Sequence, residues 1–187
     1  MSVTNLTQAH INKVQIDEGI IFIDFGEESE RLLGPTRGGG EFNITNTVRD
    51  IEYDGRRGKT LGLQAIEEQA ASLKVVCLCC SQENLALAIP GCVVTENTGK
   101  TTITNGAGGV IGSASYLKNI TMFARLLDGT FKKITIFSVL HEAALDLKAV
   151  QKAEGELSFE FTAHFDPLDS TKKLWEIEDV DSLPVTE

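Results

Sequence analysis

Residues 156–165 read ELSFEFTAHF, and they alternate without a break. Leu157, Phe159, Phe161, Ala163 and Phe165 fall on one side. Glu156, Ser158, Glu160, Thr162 and His164 fall on the other. Period two is the pattern of a strand with one face on a core and one toward water.

The same reading extends outward. GIIFIDFG (19–26) is a shorter and more apolar strand, and EFNITNTVRDIEY (41–53) opens on the alternation of Phe42 and Ile44. In SLKVVCLCC (72–80) both faces are apolar, which predicts a strand covered on two sides. Residues 119–137 predict a β-hairpin, because Asp128-Gly129 supplies the positive φ angles of a tight turn between apolar strands. One helix is expected at about 81–89. Ser81 caps it, Glu83 suits its first turn, Leu85 and Ile89 share a face, and Pro90-Gly91 stops it. A short helix within 140–145 is a weaker expectation. GPTRGGG (34–40) is too rich in glycine for a strand interior, and 97–113 reads as a long loop or a weakly paired excursion.

The chain has 187 residues, which fits one domain. The expectation is a single domain over 1–187 with flexible ends at about 1–13 and 176–187. Lys and Arg number 17 against 27 Asp and Glu, a net charge of −10. That balance disfavours non-specific DNA affinity, which needs a basic face to neutralise phosphates. Met1 to Lys13 has no apolar h-region and no basic n-region, and no apolar run approaches the ~20 residues of a membrane span. The reading is a protein made in the cytoplasm.

Motifs for catalysis or ligand binding fail on spacing. In NGAGGVIG, Ile111 stands where a dinucleotide loop needs its third glycine, and a strand follows instead of a helix. Gly58-Lys59-Thr60 matches the end of a phosphate-binding loop, but Tyr53 occupies the place of its first glycine. The four cysteines, Cys77, Cys79, Cys80 and Cys92, lack the paired arms of a zinc site and are expected as reduced, largely buried thiols without metal. His141 and His164 have no nucleophile elbow near them. No enzyme, cofactor or metal is expected. What remains is a β-rich domain with long loops, and long loops in a compact domain usually have a job.

One such loop is RRGKT (56–60), basic and fenced by glycines in an acidic chain. The surrounding run LGPTRGGGEFNITNTVRDIEYDGRRGKTLGLQAIEEQAASLKVV, followed by YLKNITMFARLLDG and KKITIFSVLHEAALDLKAVQKAEGELSFEFTAHFDPLD, resembles the tail tube (major tail) proteins of long-tailed phages that infect Gram-positive bacteria. The likeness covers roughly residues 15–175 and is strongest over RDIEYDGRRGKT. CLCCS departs from it, standing where relatives more often carry aliphatic and acidic residues.

The resemblance implies a mainly β fold: a two-sheet antiparallel sandwich or barrel with one flanking helix. Six copies would close their sheets into a ring barrel, and rings would stack into a tube in the virion tail. Its expected partners are the chain itself, the tape-measure, tail terminator and distal tail proteins, and double-stranded DNA passing without specific binding. On that basis Glu156, Ser158, Glu160 and Thr162 are candidates for the lumen. Arg37, Arg49, Asp54, Arg56, Arg57 and Lys59 are candidates for contacts between subunits. The alternatives are a nucleic-acid-binding module using the basic loop 49–59, the tube of a domesticated injection system, and a small enzyme or metal protein built on the cysteines.

Overall fold

The computed structural model describes residues 6–147, 154–169 and 171–184. The chain is mainly β, with antiparallel pairing throughout and two short helices. The principal sheet is ordered β2 (Arg31–Leu32), β1 (Gln15–Ile23), β7 (Leu117–Leu126), β8 (Phe131–His141), β9 (Leu157–Ala163), β4 (Gln64–Cys77) and β3 (Thr36–Asp50). Strand β10 (Trp175–Val180) pairs with β8 off this path. A separate two-stranded sheet holds β5 (Val93–Asn97) and β6 (Lys100–Thr104).

Strand β8 divides the sheet into two layers. Up to Ile136 it is flanked by β7 and β10, and from Val139 onward β9 takes the place of β10. Ser138 stands at the switch with φ 51°, a left-handed conformation that non-glycine residues seldom adopt. The carbonyl oxygen of Ser138 accepts from the amide of His164 at 3.0 Å, and the amide of Phe137 donates to Leu174 O at 3.1 Å. The bend sends β9, β4 and β3 over the first layer. Phe42 of β3 then meets Trp175 of β10, with ring centroids 6.4 Å apart. Gly40 of β3 lies so close to β1 and β7 that a Cβ there would come within 2.5 Å of Met122 Sδ.

The space between the layers is filled by Ile21, Ile23, Leu73, Val75, Ile120, Met122, Ile136, Leu157, Phe159 and Phe161, all buried. The alternation of 156–165 therefore has its expected cause in β9, except that Phe165 lies beyond the strand and is exposed. The expected hairpin forms around Asp128-Gly129, but only Gly129 takes a positive φ, 88°, and Asp128 does not. A smaller apolar group sits on the outer face of the first layer. There Phe22, Phe25 and Phe123 meet edge to face, and the Lys133 ammonium lies 5.4 Å from the centre of the Phe25 ring.

Several local expectations are corrected. Glycines 38–40 lie inside β3, where a bulge between Arg37 and Gly40 takes up Gly38 and Gly39 at positive φ. The segment 72–80 is covered mainly on one side: Leu73, Val75 and Cys77 are buried, while Val76 and Leu78 are half-buried and Lys74 is exposed. Residues 140 and 141 end β8, and no helix forms over 140–145. Helix α2 (Gln82–Leu87) matches the expected one, with the Ser81 hydroxyl accepting from the Asn84 amide at 3.2 Å. A second helix, α1 (Gln8–Asn12), lies in the N-terminal stretch expected to be flexible, and β10 runs into the start of the C-terminal one as far as Val180. Residues 1–5 and 185–187 of those ends lie outside the described residues. No helix among the described residues is long and apolar enough to cross a membrane.

Candidate assembly interface

Strands β3 and β4 are 15 and 14 residues long, but β9 accompanies β4 only from Ser72 to Cys77. Beyond that point the two strands continue as a two-stranded arm, with 51–63 forming its tip. A hairpin of two strands alone is marginal in water. This one is tied by its own polar groups. The amide of Ile51 donates to Leu63 O at 2.8 Å, and Gln64 Nε2 donates to Thr60 O at 2.6 Å and Asp50 Oδ1 at 3.1 Å. The chain turns at Asp54-Gly55, with Gly55 at φ 88°.

The arm exposes apolar side chains. Val48, Ile51, Tyr53 and Ile66 are all exposed, and Leu61 is 100% exposed. A lone apolar residue on a surface needs no explanation, but a cluster on a projecting element does.

Most of the arm's basic residues are already satisfied within it. Arg49 pairs with Glu67, Arg56 with Glu52, and Lys59 stands 3.9 Å from Asp50. Arg57 and Asp54 are exposed and make no ion pair among the described residues. Arg37 lies far from the tip, at the start of β3. It pairs with Glu156 and, at 2.7 Å, with Glu154. The bond to Glu154, and secondarily the charge of Glu156, raises the Arg37 pKa, and Arg37 in turn holds the Glu154 carboxyl below its usual range. The six residues singled out from the sequence thus divide. Five cluster on the arm, and Arg37 belongs to the outer face of the β9–β4–β3 layer.

That face carries the second candidate set. Ser158 is exposed, and Glu156, Glu160 and Thr162 are half-buried, alternating with the buried residues of β9. Glu160 sits opposite Lys74 and pairs with it at 3.1 Å. With Glu156 on Arg37, both acids of β9 are neutralised locally, so the face is polar without a strong single sign. Glu41, beside Lys74 across β3–β4, adds a carboxylate with no ion pair among the described residues.

The cysteines and histidines have structural surroundings. Only Cys77 is fully buried; Cys79 and Cys92 are intermediate and Cys80 is exposed, which corrects the expectation of largely buried thiols. Burial raises the Cys77 pKa. Beside Cys77 is a residue the sequence reading missed. Asn84 is buried, donates to Leu33 O at 2.9 Å and Cys79 O at 3.0 Å, and accepts from Arg31 Nη1 at 2.8 Å. The signal for it was slender: an asparagine at the third position of a short capped helix. His164 borders a cavity of about 420 Å³ with Ser138 and Phe165. Its Nδ1 faces the Ser138 carbonyl oxygen at 3.2 Å and its Nε2 faces Glu142 at 3.3 Å.

Compared with known proteins, the chain matches no family model and no curated protein.

Proposed function

We propose that this chain is a structural, non-catalytic subunit that assembles with copies of itself into stacked rings, as a tail tube protein of a long-tailed phage does. The observation that carries the reading is the β3–β4 arm. It projects past the sandwich with Val48, Ile51, Tyr53, Leu61 and Ile66 in water, and its long outer edge has no partner strand among the described residues. Free edges and exposed apolar side chains of this kind are normally blunted in proteins that stay monomeric. The resemblance of residues 15–175 to tail tube proteins points to the same assembly. On this reading the protein resides in the virion tail, and double-stranded DNA travels through the channel.

The outer face of β9, β4 and β3 suits a wall for that channel. Its bases, Arg37 and Lys74, are held by carboxylates and are not free to grip phosphates. DNA would pass a hydrated, nearly neutral surface with one spare acid, Glu41. The arm is a poor nucleic-acid grip for a related reason: three of its four bases already pair with its own acids.

The test is negative-stain microscopy of purified protein across concentration. Rings or hollow filaments support the reading. Salt-sensitive retention on DNA by a chain that stays monomeric would replace it with the nucleic-acid module.

A further inference from the structure

We infer that the arm tip of one copy docks on the β5–β6 hairpin of a second copy, with Arg57 meeting Glu96 and Asp54 meeting Lys100. This rests on the self-assembly proposed above and names the surface that receives the arm.

The two elements lie at opposite poles. Along the β3–β4 ladder, Thr36 pairs with Cys77 at one end and Asp50 with Gln64 at the other. The arm tip continues from the Asp50 end. From the Cys77 end the chain passes directly into α2, which is fastened there by Asn84 to Leu33 and Cys79, and then into the β5–β6 hairpin. Fifteen residues of strand separate the poles by roughly 45–50 Å.

The receiving pole is as unfinished as the arm. β5 and β6 form a sheet of only two strands, and every residue of β5 is exposed, Val93 and Val94 among them. The glycine loop behind the hairpin leaves Val110 100% exposed. The pole is also built closely: a Cβ on Gly106 would come within 2.2 Å of Gly91 O, so the two loops run backbone against backbone.

Charge selects the pairing. Most described lysines and arginines have an acid partner in the chain. Arg57, Lys100 and Arg125 have none among the described residues, and two of these three lie at the two poles. Each of these two is accompanied by an acid that makes no ion pair among the described residues, Asp54 on the arm and Glu96 on the hairpin. Asp54 and Arg57 are three residues apart across the Gly55 turn. Glu96 and Lys100 flank the turn between β5 and β6. Opposed head to tail, each base can meet an acid, and the exposed Leu61 and the β5 valines add apolar surface to the contact. Because the two patches differ and lie at opposite ends, the contact is heterologous and repeats along an axis instead of closing a dimer.

The experiment uses the full chain with Arg57→Glu, Glu96→Arg, and the two combined. Both sites are exposed and make no ion pair among the described residues, so folding is checked simply by matching circular dichroism melts. Assembly is read by sedimentation velocity and negative-stain images. Each single variant places like charges opposite one another and should raise the concentration for assembly about five-fold or more. The double variant, and an equimolar mixture of the two single variants, restore an opposite-charge pair and should assemble near the wild-type concentration. Single variants that assemble like wild type, or a double variant no better than either, overturn this contact and leave the tube reading standing. A wild-type chain that stays monomeric at every concentration overturns both.

Discussion

The amide of Glu160 donates to Nδ1 of His141 across β8 and β9, at 3.1 Å. Nδ1 also faces the Glu160 carbonyl oxygen at 3.2 Å, and Nε2 is buried with no hydrogen-bond partner among the described residues. Phe159 and Phe161 face the ring at centroid distances of 5.4 and 5.9 Å. Burial lowers the His141 pKa, and the nearby Glu160 and Glu142 offset this only in part. The folded pKa lies below the unfolded one, so stability is intact above about pH 6.5 and declines as pH falls from there toward the folded value. Melting temperatures at pH 7.5 and 5.5 should differ for the wild type. In His141→Phe that difference should shrink, while overall stability drops by about 1–3 kcal/mol because Glu160 N–H loses its acceptor. An equal pH dependence in both proteins would assign it elsewhere.

Asn84 is expected to anchor the α2 pole. Asn84→Leu keeps the branched heavy-atom skeleton but leaves the carbonyls of Leu33 and Cys79 without this donor, at a cost of about 2–4 kcal/mol. Urea denaturation reads the loss. A change under 0.5 kcal/mol would mean that solvent satisfies both carbonyls.

Asp128 should titrate unusually low. The hydroxyl and amide of Thr130 donate to it at 2.6 and 3.0 Å, Lys13 lies 3.1 Å away, and its pKa falls from 3.8 to about 2. The stabilisation it gives the β7–β8 turn is therefore present above pH 3.8 and lost as pH falls through about 2. Carbon-detected NMR titration should place the midpoint near the lower value, and Thr130→Val should move it up. A midpoint indifferent to that substitution would leave the hydroxyl without a role.

Thiol titration should resolve the cysteines by burial. Cys80 should react first in native protein, Cys79 and Cys92 more slowly, and Cys77 only on unfolding. Cys80→Ser should remove the fast phase. A fast phase that survives this substitution would place the accessible thiol elsewhere.

The sequence by itself determined those elements whose signal is local. Alternation over 156–165 marks β9, Asp128-Gly129 marks the β7–β8 turn, and Ser81 with Pro90-Gly91 brackets α2. Each depends on residues a few positions apart, and backbone sterics act at that range. Pairing partners far along the chain decided the rest. QAIEEQAA (64–71) is poor in strand-forming residues yet extends β4, because β3 offers it a ladder from Asp50 to Thr36. EIEDV reads as an acidic tail, but Glu178 and Asp179 fall opposite Lys133 and Lys132 of β8 and become strand. The basic loop looks like a free positive patch until the fold returns Glu52, Asp50 and Glu67 to it. Ser138 gives no local sign that β8 changes layers there. Hydrogen-bond ladders and ion pairs join residues from distant parts of the chain, so which groups are satisfied and which are left open is settled only once the layers have closed.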